Sequence, residues 1–327
     1  MKRRKLFKLP GAHWIGKEER ELVLQVIDAR SPFRFYGLDP QHMVDRLEAE
    51  WCRKFGHRYA LAVNCGSAAL HIALAAFEIG PGDEVMVPGY MWVSCLSAVV
   101  RLGAIPRLVD IDDTFCMDPH DLERKIGPRT KAVLFVNMSG ATGQNDRIAE
   151  ICRERRLFLL EDCAQAIGAS LHGRPSGSFG DIGIYSFQAN KNMTSGEGGL
   201  LVTDKERLYQ RCTAVHDLGF ARNRQGRLDP LDDRYQLWGV GGRMSDLTGA
   251  LALGQLGKVD TITRHMREAK WRIRERVKDL PGLRFRNIID PAGDSGSFLI
   301  TIYPSPDICQ RFVAALRAEG IKGPGGA

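Results

Sequence analysis

The chain has 327 residues, with 46 Lys and Arg against 39 Asp and Glu, a formal charge of +7, and a composition 44% hydrophobic and 26% charged. These proportions exclude a chain that is disordered throughout, and the length suits one large core with a smaller second unit. The positive excess is mild and spread out, so it points to no nucleic-acid partner; the basic run Lys2-Arg3-Arg4-Lys5 reads as a solvated N-terminus.

From Leu6 to Ile15 the apolar residues are broken by Lys8, Pro10 and His13, so no secretory signal is expected. The apolar stretches Ala68–Ala76 and Val93–Val100 are too short to span a bilayer, so no membrane partner is expected either. The eight cysteines are scattered, with no Cys-x-x-Cys pair and no zinc spacing. They read as reduced thiols, which places the protein in the cytoplasm.

In chain order, Tyr59–Val63, Glu84–Pro88, Arg107–Asp110, Lys131–Val136 and Leu157–Glu161 are short runs rich in Val, Leu and Ile and predict buried strands. Segments of helical spacing lie between them: Ala68–Ala76, Val93–Leu102, Pro119–Ile126 and Arg147–Arg155. This alternation predicts an α/β unit with a mainly parallel sheet covered by helices on both faces. Ile182–Phe187 and Gly199–Thr203 are two further strand candidates around a Gly-rich stretch. After about residue 240 the pattern changes. Ser245–Leu256 and Asp260–Val277 predict two helices separated by Gly257. The strand-like runs Leu283–Arg286 and Ser297–Tyr303 and a helix over Ser305–Glu319 follow. The expected division is a large domain over 1–240 and a smaller α+β domain over 241–327. The long charged segment Gly219–Tyr235 is expected to be a functional loop.

Four features along this sheet carry chemistry. Asn64-Cys65-Gly66-Ser67-Ala68 lies where a strand passes into a helix. Backbone N–H groups and the helix dipole there suit an anion on Gly66, Ser67 and Ala68, although Ser67 would also serve as a plain helix cap. Pro88-Gly89-Tyr90-Met91-Trp92 follows another strand, and the Trp92 indole can stack on a planar ligand or fill a core corner. Glu161 and Asp162 end an apolar strand, where a charge requires a partner. A protonated pyridine nitrogen is one such partner, with Gln165 placed to reach the ring hydroxyl; the alternative for Asp162 is an N-cap of the next helix. Lys191 stands between a strand ending in Ser186-Phe187 and the Gly196–Gly199 turn, where a lysine can form an imine with a cofactor aldehyde. Its simple alternative is a solvated surface charge.

The run Ser186-Phe187-x-x-x-Lys191-Asn192-x-x-x-Gly196-Glu197-Gly198-Gly199, with Glu161-Asp162-x-Ala164-Gln165-Ala166 upstream, resembles the DegT-type sugar aminotransferases. Pro81–Pro88 and Arg243-Met244-Ser245-Asp246-Leu247 look like signatures of the same family. The resemblance extends from about residue 10 to the end of the chain. It implies the aspartate aminotransferase fold and pyridoxal 5'-phosphate as cofactor. It assigns the Schiff base to Lys191, the pyridine nitrogen to Asp162, the ring hydroxyl to Gln165 and the ring face to Trp92. Gly66, Ser67 and Ser186 would hold the phosphate. The implied reaction moves an amino group from glutamate or glutamine to a keto sugar, nucleotide-linked or free, in a homodimer with shared active sites.

The sequence departs from the family at three places. Gly241 and Gly242 stand where the family usually carries an Asn, which reaches the partner subunit's phosphate, and an aromatic residue. Asn137 and Ser139 stand where it often has His and Tyr, a change expected to bear on the substrate. The chain ends at Ala327, where the family continues, so the smaller domain is expected to be incomplete. Two other functions follow from the same motifs. One is a non-catalytic sugar or cofactor sensor, or a partner subunit of an intact relative. The other is a sugar dehydratase, a branch in which histidine replaces the lysine present here as Lys191.

Overall fold

The computed structural model describes residues 10–222, 227–229 and 237–321. Its centre is a seven-stranded sheet of β1 (Tyr59–Val63), β2 (Glu84–Pro88), β3 (Ile105–Val109), β4 (Thr130–Val136), β5 (Phe158–Asp162), β8 (Ile182–Ser186) and β9 (Gly199–Thr203). Two short strands, β6 (Ser170–Leu171) and β7 (Arg174–Pro175), form a hairpin between β5 and β8. The sheet order is β1-β9-β8-β5-β4-β2-β3. Strands β3, β2, β4, β5 and β8 run parallel. β9 is antiparallel to both β8 and β1, so β1 again runs with the parallel set. The expected parallel α/β sheet is therefore present, with the Gly199–Thr203 strand inserted against the common direction.

Period-two alternation puts the strand side chains on opposite faces. Leu61, Val63, Ile182 and Ile184 join a core with α3 (Gly66–Ala76), α4 (Val93–Val100), α5 (Pro119–Lys125) and α6 (Asn145–Arg155). Ala60, Ala62, Tyr185, Leu200 and Val202 face the other way. There they pack with Trp51 of α2 (Met43–Phe55) and with Ala252 and Leu256 of α8 (Asp246–Leu256). α1 (Lys17–Asp28) lies outside α8, with Val26 and Ala250 in a small third cluster. The polar spacing of α1 and of α7 (Glu206–His216) hid both helices from the sequence reading, as it hid α2. α1 and α2 bury one stripe only, and α7 buries Leu208 and its whole last turn, Cys212 to His216.

Helices α8 and α9 (Val259–Val277) are separated at Gly257 as expected. Beyond them, the two strand-like runs contribute only β12 (Arg284–Phe285) and β13 (Thr301–Ile302), paired antiparallel; β10 (Ala221–Arg222) and β11 (Leu228–Asp229) form another two-residue ladder. α10 (Pro306–Ala318) buries no residue fully. Most of the Gly219–Tyr235 loop lies outside the described residues.

Candidate active site

The common strand direction brings the carboxyl ends of β1, β2, β5 and β8 to one edge of the sheet, where open α/β sheets bind ligands. Gly66, Trp92, Asp162, Gln165, Ser186 and Lys191 stand at these strand ends or within a few residues beyond them.

β1 passes into α3 through Asn64-Cys65. Cys65 is the N-cap, and its Sγ accepts the Ala68 N–H at 3.3 Å, so Ser67 is not the cap and stands exposed in the first turn. The Ala68 N–H is thereby engaged. The N–H groups of Gly66 and Ser67 lack intrahelical partners by their position and remain for an anion. Gly66 lies directly against Ser186 at the end of β8: a Cβ on Gly66 would sit 2.8 Å from the Cβ of Ser186 and 3.1 Å from its Oγ. Ser186 is buried, and its Oγ accepts the Gln188 N–H at 3.4 Å. Gly241 and Gly242 run beside this turn. Asn64 donates its N–H to the Gly242 carbonyl at 2.8 Å and its side-chain amide to the Gly241 carbonyl at 3.4 Å.

The two carboxylates at the end of β5 point to opposite tasks. Glu161 is fully buried and accepts five N–H groups: Gly177, Phe179 and Gly180 of the backbone, and the Asn137 and Asn145 side chains, at 2.6 to 3.3 Å. Burial pushes its carboxyl up, and these donors pull it back. It ties the loop before β8 to the sheet. Asn137 is consumed in this network and is wholly buried, so it is part of the scaffold and does not face a substrate.

Asp162 faces the open edge. No helix follows it; Oδ1 accepts the Ala164 N–H two residues on at 2.8 Å, which replaces the expected N-cap by a local turn. Oδ2 accepts the Cys95 thiol at 3.2 Å. Burial raises the carboxyl above its ordinary range, and the Ala164 N–H, the Cys95 thiol and the Lys191 ammonium oppose that rise. The converse holds for Lys191: burial lowers its pKa, and the Asp162 charge raises it. The two groups thus act on each other across the site.

Lys191 is half-buried and is not a solvated surface charge. The turn that carries it is pinned on several sides. Its N–H donates to the Gln188 carbonyl at 2.9 Å, and its carbonyl accepts the Gly11 N–H at 3.0 Å. Gly11 fits because it has no side chain; a Cβ there would lie 2.9 Å from that same carbonyl. Asn192 donates to the Ile167 carbonyl at 2.8 Å, and the Thr194 hydroxyl to the Phe187 carbonyl at 2.9 Å. Gln165 presents Oε1 to the Ser139 N–H at 3.0 Å, which leaves its amide NH2 to point elsewhere. The Ser139 turn is held from behind by buried Arg286, which donates to the Met138 carbonyl. Trp92 is the N-cap residue of α4 and is 68% exposed, so it does not fill a core corner.

Sequence reasoning missed Gly11, Cys95 and Arg286. Gly11 and Arg286 act through backbone groups of distant segments, which no local pattern announces. Cys95 looked like one more apolar residue of α4.

The chain belongs to the DegT/DnrJ/EryC1/StrS aminotransferase family, whose model matches residues 16–324. Aminotransferases of this family depend on pyridoxal phosphate. Among curated proteins, GDP-perosamine synthase of Escherichia coli O157:H7 is 37% identical over 252 residues, which is 77% of this chain and 66% of that protein. The chain spans a little under two thirds of the length of the curated relatives it matches, from 60 to 66%. The aminotransferase TlmJ from Streptoalloteichus hindustanus superposes with a TM-score of 0.84 at 27% identity, covering 94% of this chain and 81% of that one. A GDP-4-keto-6-deoxymannose-3-dehydratase, solved with pyridoxal phosphate and glutamate trapped together, superposes with a TM-score of 0.83 at 26% identity, over 94% of this chain and 83% of its own.

Proposed function

We propose that this member of the family moves an amino group from glutamate or glutamine to a keto sugar, nucleotide-linked or free, with pyridoxal 5'-phosphate as cofactor. The observation that carries this reading is the placement of a buried carboxylate, Asp162, and the half-buried Lys191 at the same carboxyl edge of the sheet, where each charge acts on the other without a direct ion pair. Among the described residues this buried acid hydrogen bonds an N–H and a thiol and has no cationic partner in contact, and a pyridinium nitrogen is such a partner. The Gly66–Ser186 contact beside the start of α3 supplies a second fitting element, a cradle for a phosphate.

When bound, the cofactor supplies an electron sink and an aldehyde that carries the amino group between two substrates. Gly66, Ser67, Ala68 and Ser186 would hold its phosphate, with the N–H groups of Gly66 and Ser67 as the open donors. Asp162 would hold the ring nitrogen protonated, and the free amide of Gln165 would meet the ring oxygen. Trp92 would cover the ring face and keep water from it. Lys191 would hold the aldehyde end. With its pKa lowered by burial, Nζ of Lys191 is suited to take and return the proton of a substrate Cα–H. The presence of Lys191 favours amino transfer over dehydration.

A homodimer is part of the same proposal. Trp92, Val93, Val100, Ile105 and Leu108 form an apolar surface on α4 and β3, each more than two fifths exposed, and such a surface calls for a partner. Placement in the cytoplasm is supported by the eight cysteines, all unpaired. Among the described residues no helix is long and apolar enough to cross a membrane.

The test is the visible absorption of the protein mixed with pyridoxal phosphate, before and after L-glutamate. A cofactor band that L-glutamate moves into the near ultraviolet supports donor-side amino transfer. A protein that binds the cofactor and ignores both glutamate and glutamine overturns transfer from these donors and favours another donor or a sensor.

A further inference from the structure

One fully buried thiol faces the carboxylate of the site. Cys95 lies in the first turn of α4, with Sγ 3.2 Å from Asp162 Oδ2. Its backbone N–H donates to the Trp92 carbonyl at 3.1 Å, so the same helical turn presents the Trp92 indole and the Cys95 thiol. The other carboxylate oxygen, Oδ1, is held by the Ala164 N–H at 2.8 Å. Burial, and then the negative charge of Asp162, push the thiol far above its usual range, so the sulfur keeps its proton and donates.

We propose that Cys95 is a positioning residue for the amino transfer, its thiol fixing the Asp162 carboxylate in one orientation with the remaining lone pairs of Oδ2 free for the ring nitrogen. The inference rests on the pyridoxal phosphate reading above. Each carboxylate oxygen accepts more than one hydrogen bond, so the thiol and a ring N–H share Oδ2 without exclusion. A thiol is a weak donor, so it orients the carboxylate while drawing off little of its charge. That leaves the ring nitrogen as the stronger partner and the electron sink intact. The carboxylate is pinned from the chain side by Ala164 and from the helix side by Cys95, which restricts its rotation about the Cα–Cβ and Cβ–Cγ bonds.

The experiment uses the protein loaded with pyridoxal phosphate labelled with nitrogen-15 in the ring, in wild type, Cys95→Ala and Cys95→Ser. The ring-nitrogen resonance reports protonation directly, which a purely space-filling role of Cys95 would not move. In Cys95→Ala the resonance is expected to shift toward the unprotonated pyridine. The same variant should lose about tenfold in kcat, with KM for L-glutamate changed by less than about twofold, the loss of one modest hydrogen bond. Cys95→Ser, which keeps a donor, should restore both. If Cys95→Ala does not fold, Cys95→Val takes its place, since it fills the volume without donating. A ring resonance and kcat unchanged in the donor-free variant overturn the inference alone. Failure of the wild type to bind the cofactor overturns the functional reading and the inference with it.

Discussion

Gly66 and Ser186 meet across the ends of β1 and β8 so closely that a Cβ on Gly66 would stand 2.8 Å from the Cβ of Ser186. This contact joins the start of α3 to the strand that leads to Lys191. It places the backbone N–H groups at the start of α3 beside the Ser186 hydroxyl in the cradle.

Gly66→Ala should therefore damage the cradle before it damages the fold. The Cβ of Ser186 belongs to a buried strand end and cannot swing away, so α3 has to shift by several tenths of an ångström. The expected result is a fall of about tenfold or more in affinity for pyridoxal phosphate, as phosphate hydrogen bonds lengthen. Fluorescence titration of the apoprotein checks it. Unaltered affinity would place the phosphate elsewhere.

Lys191→Ala and Asp162→Asn should fail differently. The first removes the side-chain amine whose charge acts on Asp162, so the visible cofactor band should be lost together with the transfer activity. The second keeps the shape and removes the charge. Asp162→Asn should retain the band while the rate of amino transfer drops by about 10²-fold or more, the scale of losing a key electrostatic partner. Absorption spectra and single-turnover rates separate the two, and an Asn variant at full rate contradicts the ring-nitrogen role.

Trp92 is 68% exposed in the chain by itself, so little of the core depends on it. Trp92→Ala should leave the melting temperature of the apoprotein nearly unchanged and weaken cofactor retention during gel filtration. Normal retention would assign the indole to a subunit contact alone.

Glu161 is a structural acid, and its variants should report on stability. Glu161→Ala takes the acceptor from the Gly177, Phe179 and Gly180 N–H groups and removes one hydrogen bond each from the Asn137 and Asn145 amides. The cost is expected at about 3 to 5 kcal/mol, the range for breaking a buried charged network. Glu161→Gln should also destabilise, because its NH2 end must face N–H donors whichever way it turns. Urea denaturation of the apoprotein measures both; a Gln variant as stable as wild type would contradict the network.

His216 links stability to pH. It is fully buried, and burial holds its pKa down at about 4, with Arg34 and Arg222 adding to the effect; the Thr213 carbonyl and Asp217 oppose it. The unfolded chain takes up this proton near 6.5 while the native imidazole stays neutral, so the unfolded state binds more protons in that interval. This contribution to stability is full above about pH 6.5 and is lost as the pH falls toward 4. His216→Gln should flatten the fall in unfolding free energy between pH 7 and pH 5. An equally steep fall in the variant would assign the dependence to other groups.

The strands, most of the helices after residue 60 and the motif residues were legible because each is written locally. Val- and Leu-rich runs mark Glu84–Pro88, and the Gly-rich turn marks Lys191. Helices α1, α2 and α7 were not read, since their apolar stripes face a core that only the folded sheet creates. The antiparallel insertion of β9 between β1 and β8 was equally hidden, as strand direction depends on long-range pairing and not on composition.

What the sequence by itself determined is the set of chemical groups: a lysine, a carboxylate, an amide, an indole and a Gly-Ser helix start, in an order that resembles one family. Only the tertiary structure separated Glu161 from Asp162, which are neighbours in one strand with opposite fates. Alternation along β5 turns them to opposite sides. One meets the backbone donors of residues 177–180 and becomes scaffold, and the other meets the thiol of Cys95 and the field of Lys191. Burial and the partners supplied by distant segments decide that difference, because the cost of a buried charge depends on what surrounds it and not on its place in the chain.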